Sequence, residues 1–397
     1  MKNKLIIIFA LSFAFIACDN QENEFDDYGK TSLYFPFQTP VRTLILGEYD
    51  LGFNENDNNS RFEIGVTMSG VYKNEKDRKV HFELAPDLID ASLLEGVDSV
   101  NVKVLPASYY TIEQESPLTI PVGSIKGRIP VQLNDAFFDD PQAFAEYGEV
   151  HYVIPLRITK IEDLDTLLMG TPIVENPIKI RDEDWSPLPK DYTLYGIKFM
   201  NRYQGTYLRR GADRIVGSSD NNVYDRGLKI GDDFIYNLNS DKSNSVDIDT
   251  TSVYRSDYVI EDELTSLATA GKNSVIVNSP VRRAGLAGDN LLMKLIFDDN
   301  NSIIIDDIKG DGFVVRGSGS YVKDGDEWGG EKRDVIYLEY EYEDTNEAPP
   351  VYSNRGKVRT ISSLNLTHTV KDTLVIRDRD VKFEEFTLEL KGEALTE

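Results

Sequence analysis

Short apolar alternations follow one another along almost the whole chain beyond residue 30. RFEIGVTM puts Phe62, Ile64, Val66 and Met68 on one face, and KVHFEL does the same with Val80, Phe82 and Leu84. GRIPVQL offers Ile129, Val131 and Leu133, and HYVIPLRI offers Tyr152, Ile154, Leu156 and Ile158. A period of two with polar partners predicts strands that turn one face to a core. Gly, Pro, Asn and Asp fill the spacers, as tight turns require. One segment, DPQAFAEYG, predicts a helical turn capped by Asp140 with Pro141 at its first position. This density of short strands predicts an immunoglobulin-like β-sandwich over residues 31–182.

The alternation breaks in LMGTPIVENPIKIRDEDWSPLPKDY, where Pro is mixed with charge, and residues 183–190 read as a linker. Strands then resume. YTLYGIKFMNRYQGTYLRRG opens a second domain, residues 191–397, with Gly205 allowing a bend. NLLMKLIF, the turn DDNN and SIIIDDI form a hairpin; FVVRGSGSY, DVIYLEYEYE, HTVKDTLVI and EFTLEL follow. In DVIYLEYEYE the core face is Ile336, Leu338, Tyr340 and Tyr342. No amphipathic helical period stands out. Sequential antiparallel strands predict a lipocalin-like β-barrel, with a sandwich as the alternative. The fold class is therefore all-β.

The N-terminus follows a different pattern. Lys2 and Lys4 precede an apolar run from Leu5 to Ile16, shorter than the ~20 residues that span a bilayer. Ala17 and Cys18 close it, and polarity begins at once. Residues 1–18 read as a signal peptide whose end resembles a bacterial lipoprotein cleavage box, with Cys18 as the lipidated residue. Acyl chains on Cys18 would anchor the chain to the outer membrane. Residues 19–30, acidic and amide-rich, read as a flexible tether. Cys18 is the only cysteine, so the mature chain folds without an internal disulfide.

Charge and composition narrow the chemistry. The 397 residues carry 43 Lys and Arg against 68 Asp and Glu, a net charge of −25. Nucleic acid is excluded as a partner, because phosphate binding rests on clustered cations. Neutral ligands carry no such penalty. No Gly-x-Ser-x-Gly elbow, phosphate-binding Gly loop or His-Glu-x-x-His occurs. His81, His151 and His368 are scattered among strands, so no metal, cofactor or catalytic residue is expected. Sugar binding needs flat aromatic faces beside polar groups. GSGSYVKDGDEWGGEKRD supplies Tyr321, Asp326, Trp328 and Arg333 in one loop-like stretch. The competing reading of Trp328 is a cap folded over the open end of the barrel. Trp185, in the linker, is read as pinning one domain to the next, with a sugar platform as the alternative.

Two stretches carry a family resemblance. NVKVLPASYYTI, PLTIPVGSIKGRIPVQL and YVIPLRIT, in that order, resemble the N-terminal domain of many Bacteroidetes surface lipoproteins of polysaccharide-utilisation loci. IKFMNRYQGTYLRRG, LIFDDNNSIII, GSGSY and DVIYLEYEY resemble a C-terminal domain of unknown function that accompanies it. The resemblance implies a setting: a lipid-anchored, cell-surface protein that binds glycan without cutting it, beside a SusC/SusD-type uptake complex. The alternatives are an adaptor of that complex that touches no sugar, and a cryptic glycoside hydrolase.

Overall fold

The computed structural model describes residues 29–48, 54–89, 102–221, 228–230, 234–236, 244–280, 290–308, 313–345, 347–352, 358–388 and 390. Cys18 and most of the tether lie outside these residues.

Two sheets form the N-terminal body. In chain order the strands are β1 (Ser32–Tyr34), β2 (Pro40–Ile45), β3 (Arg61–Ser69), β4 (Arg78–Leu84), β5 (Lys103–Val104), β6 (Tyr110–Ile112), β7 (Leu118–Ile120), β8 (Lys126–Leu133), β9 (Tyr152–Glu162), β10 (Thr166–Leu167) and β11 (Tyr192–Met200). One sheet runs β10-β1-β3-β8-β6, the other β2-β11-β9-β4-β7 with β5 on β9. The alternating faces meet as expected: Phe62, Ile64, Val66, Ile129 and Val131 from one sheet pack on Val80, Phe82, Ile154 and Leu156 from the other. Leu84 departs from the pattern and is exposed at the end of its strand.

DPQAFAEYG does not start a helix. The short helix α1 (Asp135–Asp139) precedes it, capped by Asn134, whose side chain accepts from Ala136 N. Asp140 instead makes a side-chain turn, accepting from Gln142 N at 2.8 Å, and its other oxygen takes the hydroxyls of Tyr109 (2.9 Å) and Tyr152 (2.7 Å). Burial opposes the Asp140 charge, but the donors from Tyr152, Gln142 and Tyr109 outweigh it and hold the carboxyl below its usual range. A depressed carboxyl stabilises the fold above its unfolded pKa, about 3.9, and that stabilisation is lost as pH falls through the folded value. Asp140→Asn is therefore expected to be less stable than wild type at pH 7. The gap should close when denaturant midpoints are followed from about pH 5 down to pH 2. A gap independent of pH would remove the carboxylate from the account.

A closed barrel forms the rest. Its strands are β12 (Gly205–Asn221), β16 (Glu263–Gly271), β17 (Ser274–Pro280), β18 (Asn290–Phe297), β19 (Ser302–Asp307), β20 (Val314–Trp328), β21 (Glu331–Asp344) and β23 (Val358–Asp378). Each pairs antiparallel with the next, and β23 returns to β12. The barrel alternative holds, and the sandwich alternative for this half does not. The far halves of β12 and β23 extend beyond the ring and pair with β15 (Asn244–Tyr254) and β22 (Glu347–Tyr352). A small hairpin joins β13 (Leu228–Ile230) to β14 (Phe234–Tyr236). At the DDNN turn, Asp298 Oδ1 accepts from Asn300 N and Ser302 N and closes the turn. Ile336, Leu338, Tyr340 and Tyr342 point into the barrel, as the alternation predicts.

The domain boundary differs from the sequence reading. Tyr192–Met200, expected to open the second domain, is an inner strand of the sandwich, parallel to β2 and antiparallel to β9. It is buried on both faces, which suits the middle of a covered sheet rather than a barrel wall. The barrel begins at Gly205, after a turn organised by Asn201. That side chain donates to Gly271 O (2.9 Å) and Ser274 O (2.7 Å) and accepts from Tyr203 N and Gln204 N. A Cβ at Gly205 would stand 2.5 Å from Asp378 O. Residues 183–190 are no free linker either: Trp185 forms a bridge with Pro172, and its Nε1 donates to Ile178 O at 2.9 Å. EFTLEL, expected as a barrel strand, begins instead at the end of β24 (Glu384–Glu385), which pairs with β2 of the sandwich.

Candidate functional site

The chain leaves the barrel at Asp378 and crosses back over the sandwich as a strap. Arg379 starts it, buried, donating to the carbonyls of Leu46, Glu48 and Asn201. Alternation then decides which side chains point in. Glu384 and Phe386 turn inward: Phe386 packs with Val41, Tyr192 and Leu194 on the outer face of the larger sheet. Glu384 meets Lys198 of β11 at 2.7 Å, accepts from Gly148 N at 2.7 Å and takes the Thr43 hydroxyl at 3.2 Å. Phe383 turns outward and is 64 % exposed.

Phe383 lies 5.2 Å from Phe37, ring to ring, and Phe37 is itself 45 % exposed. The loop before β9 adds Tyr147, 67 % exposed, whose hydroxyl reaches Phe383 O at 3.5 Å. Lys382 stands 5.5 Å over the Tyr147 ring. Three exposed rings along one short strap have no core to fill.

Clefts flank this ridge. One, of about 510 Å³, has Tyr192 and Leu194 in its floor and Gln38, Asp182, Glu183 and Glu385 among its polar walls. Asp182 and Asp191 add to burial in raising the Tyr192 hydroxyl, so it remains a neutral donor. The other, of about 330 Å³, is more apolar and holds Phe37 and Phe383 beside Arg42, Thr193 and Lys382. Both volumes lie in the range of small-ligand sites, roughly 300–1,000 Å³.

The sequence-predicted site residues lie elsewhere. Trp328 packs against Leu208, Val335 and Val375 on the outside of the barrel, and Arg333 covers its ring at 4.5 Å. It caps no open end. Asp326 stands opposite Arg333 across the hairpin, its Oδ1 accepting from Glu327 N. Tyr321 is buried in the barrel floor, edge-on to Tyr203 at 5.2 Å, and its hydroxyl meets Asp334 and Arg202. Tyr321 and Arg333 reach one cleft at the sandwich–barrel junction; Trp328 stands behind it. Trp185 lies on the sandwich with Lys179 4.8 Å above its ring. Phe37, Phe383 and Tyr147 were missed. Their one sequence signal is an aromatic on the polar side of an alternation, as Phe383 is.

Comparison with known proteins places both halves. Residues 28–165 match the model of an N-terminal domain, and residues 202–380 match that of a domain of unknown function, DUF5627. The stretches quoted above for the two resemblances fall almost wholly within these matches. No curated protein matches the chain. A crystal structure of a Bacteroides ovatus protein of unknown function is similar over 93 % of this chain and 100 % of its own, at 28 % identity and a TM-score of 0.70. A multidomain protein including DUF1735, also from Bacteroides ovatus, aligns over 88 % of this chain and 96 % of its own, at 13 % identity and a TM-score of 0.38. An auxiliary nutrient binding protein from Bacteroides thetaiotaomicron aligns over 87 % and 95 %, at 13 % identity and a TM-score of 0.34.

Proposed function

We propose that this chain is a lipid-anchored surface protein of the outer membrane that binds glycan without cleaving it, and that the Phe37–Phe383 ridge is its binding site. The observation that carries the reading is the pair of exposed rings between two ligand-sized clefts. Aromatic faces pack against the apolar faces of pyranose rings, and neighbouring amide, hydroxyl and carboxylate groups hold the hydroxyls. Gln38, Thr39 and Glu385 stand where those groups are needed. The anchor rests on the Lys2–Cys18 pattern, and the association with a SusC/SusD-type uptake complex rests on the family resemblance. The binding site thereby moves from the Trp328 hairpin to the strap.

Affinity electrophoresis of the full chain in gels containing plant and microbial polysaccharides tests this. Retardation on at least one polysaccharide is expected. It should weaken about tenfold or more in Phe37→Ala/Phe383→Ala, at about 1 kcal/mol for each lost ring contact, and persist in Trp328→Ala. No retardation on any polysaccharide would favour the adaptor reading. Loss only in Trp328→Ala would return the site to the hairpin, and release of shorter sugars would make the chain a hydrolase.

A further inference from the structure

Four stretches of chain meet at the end of the sandwich where β1 begins: the entering residues 29–31, the β3–β4 loop 70–77, the β7–β8 turn 121–125 and the β9–β10 turn 163–165. The strand registers bring them together, with Ser32 opposite Ser69 and Thr166, and Arg78 opposite Ile120. The barrel leaves from the other end, because β11 runs antiparallel to β9 and finishes at Met200.

Apolar side chains tip two of these loops, where turn chemistry asks for none. Tyr72 is 58 % exposed, Val122 57 % and Ile125 43 %. The loops that carry them are braced from below. Buried Asn74 donates to Pro121 O at 3.0 Å and accepts from Arg78 Nε at 2.8 Å, and its carbonyl takes Gly123 N at 2.8 Å. Ile125 O accepts from Met68 N at 2.9 Å. The entering chain lies tightly on the same loops: a Cβ at Gly70 would stand 2.0 Å from Lys30 O. Charge sets this end apart as well. Lys30, Lys73, Lys76 and Lys126 balance Glu75, Asp77, Asp163 and Asp165 here, within a chain of net charge −25. Three of these carboxylates are engaged, Asp77 by Val122 N, Asp163 by Lys76 and Asp165 by Thr31.

We propose that this end of the sandwich rests on the membrane, with Tyr72, Val122 and Ile125 set into the headgroup region of the lipid. The inference rests on the reading of Cys18 as the anchor. Residues 19–28 separate Cys18 from Gly29, a reach of at most about 40 Å even when fully extended. The end at which the chain enters is therefore the end that the anchor draws to the lipid. Balanced charge leaves this end without the repulsion that the rest of an acidic surface would meet from lipid phosphates. The lysines can lay their stems on the apolar tips and extend their ammonium groups to those phosphates. Tyrosine suits the same boundary, apolar in its ring and wet at its hydroxyl. The tether makes the contact intramolecular, so three side chains need little affinity of their own. The barrel, at the other end, is thereby carried away from the membrane.

Single-cysteine labelling of the full chain in vesicles of phosphatidylethanolamine and phosphatidylglycerol tests this. With Cys18 taken up by lipid, the unsubstituted chain should accept no thiol label and should float with the vesicles. An environment-sensitive fluorophore on Val122→Cys should then be quenched by iodide at least about threefold more weakly than one on Ile304→Cys, an exposed position of the barrel wall, as for a side chain set about 5–10 Å into the headgroup boundary. A lipid-borne nitroxide should quench the first probe and spare the second. A probe on Tyr72→Cys should agree with that on Val122→Cys, and Lys30→Glu/Lys73→Glu/Lys126→Glu should return iodide quenching at position 122. Equal quenching at 122 and 304 in a chain that floats would overturn the docking and keep the anchor. A chain that takes label at Cys18 and stays in solution would remove the anchor, and the docking with it.

Discussion

Asp372→Ala is expected to destabilise the barrel by about 3–5 kcal/mol, because it strands a buried guanidinium. Arg209 and Asp372 point into the lumen from neighbouring strands, with side chains 3 % and 1 % exposed. Arg209 Nε donates to Asp372 Oδ2 at 3.0 Å, and the Tyr340 hydroxyl donates to the same oxygen at 2.9 Å. The Tyr254 hydroxyl takes the other oxygen. Gly211 leaves the space for this: a Cβ there would stand 2.5 Å from Asp372 Oδ1. Burial works against the Arg209 charge, but Tyr340, Asp372 and Tyr254 outweigh it and hold the guanidinium charged. Burial likewise pushes up the hydroxyls of Tyr254 and Tyr340. Removing this carboxylate thus takes the shared acceptor from two hydroxyls and leaves the guanidinium with only Glu263, 3.9 Å away, as a counter-charge. The two tryptophans separate the domains experimentally, since Trp328 reports on the barrel and Trp185 on the sandwich. In a Trp185→Phe background the Trp328 transition should move by more than about 1 M urea, and Arg209→Met/Asp372→Leu should regain most of the loss. A change within about 0.5 kcal/mol, as for surface positions, would mean that the network carries no stability.

That network was partly legible. On the period-two count, Asp372 shares a face with Val370 and Leu374, and Arg209 shares one with Tyr207 and Ile215; all six are buried. A charge in phase with a core stripe is the sequence signal for a buried polar group. What the sequence withheld is the pairing, since the partners lie 163 residues apart. The same limit explains the misplaced boundary. Period-two reading finds strands because alternation is local, and it placed the cores of β3, β8 and β21 correctly. It does not say which sheet a strand joins. Tyr192–Met200 reads as the first barrel strand because it follows a Pro-rich break, yet both its faces are apolar. Val153 and Leu194 pack on the outer side of the larger sheet under Phe386, a layer supplied by the far end of the chain. The ridge was illegible for that reason: Phe37 and Phe383 meet only because the strap returns. Trp328 and Tyr321 were attractive as large rings near Gly and Asp, but a long hairpin has two faces, and theirs are covered by Arg333 and Tyr203.

Glu384→Ala is expected to release the strap and to cost about 3–5 kcal/mol, the loss typical of a buried charge deprived of its partner. Lys198 and Glu384 are both buried, with side chains 5 % and 8 % exposed. Lys198 keeps its bonds to the carbonyls of Glu146 and Glu149 in the variant, but these carry no negative charge. Beyond Arg379 at its start, the strap is held by two residues of β24 pairing and by Phe386 and Leu390 packed inward. Trypsin reads the outcome directly, because Lys382 stands in the strap two residues before Glu384. A protease needs the backbone locally unfolded, so cleavage after Lys382 tracks the population of the released form when opening is fast. Cleavage there should accelerate at least tenfold in Glu384→Ala and less in Glu384→Gln, whose amide oxygen keeps an acceptor for Gly148 N and whose NH2 group donates to the Thr43 hydroxyl, though the charge opposite Lys198 is lost. Lys198→Met/Glu384→Leu should restore resistance while removing the charges. Unchanged cleavage in Glu384→Ala would show that Arg379 and the inward apolar side chains hold the strap without the ion pair. Accelerated cleavage would carry a further consequence, because Phe383 leaves Phe37 when the strap lifts, and the two rings of the proposed glycan site are then no longer neighbours.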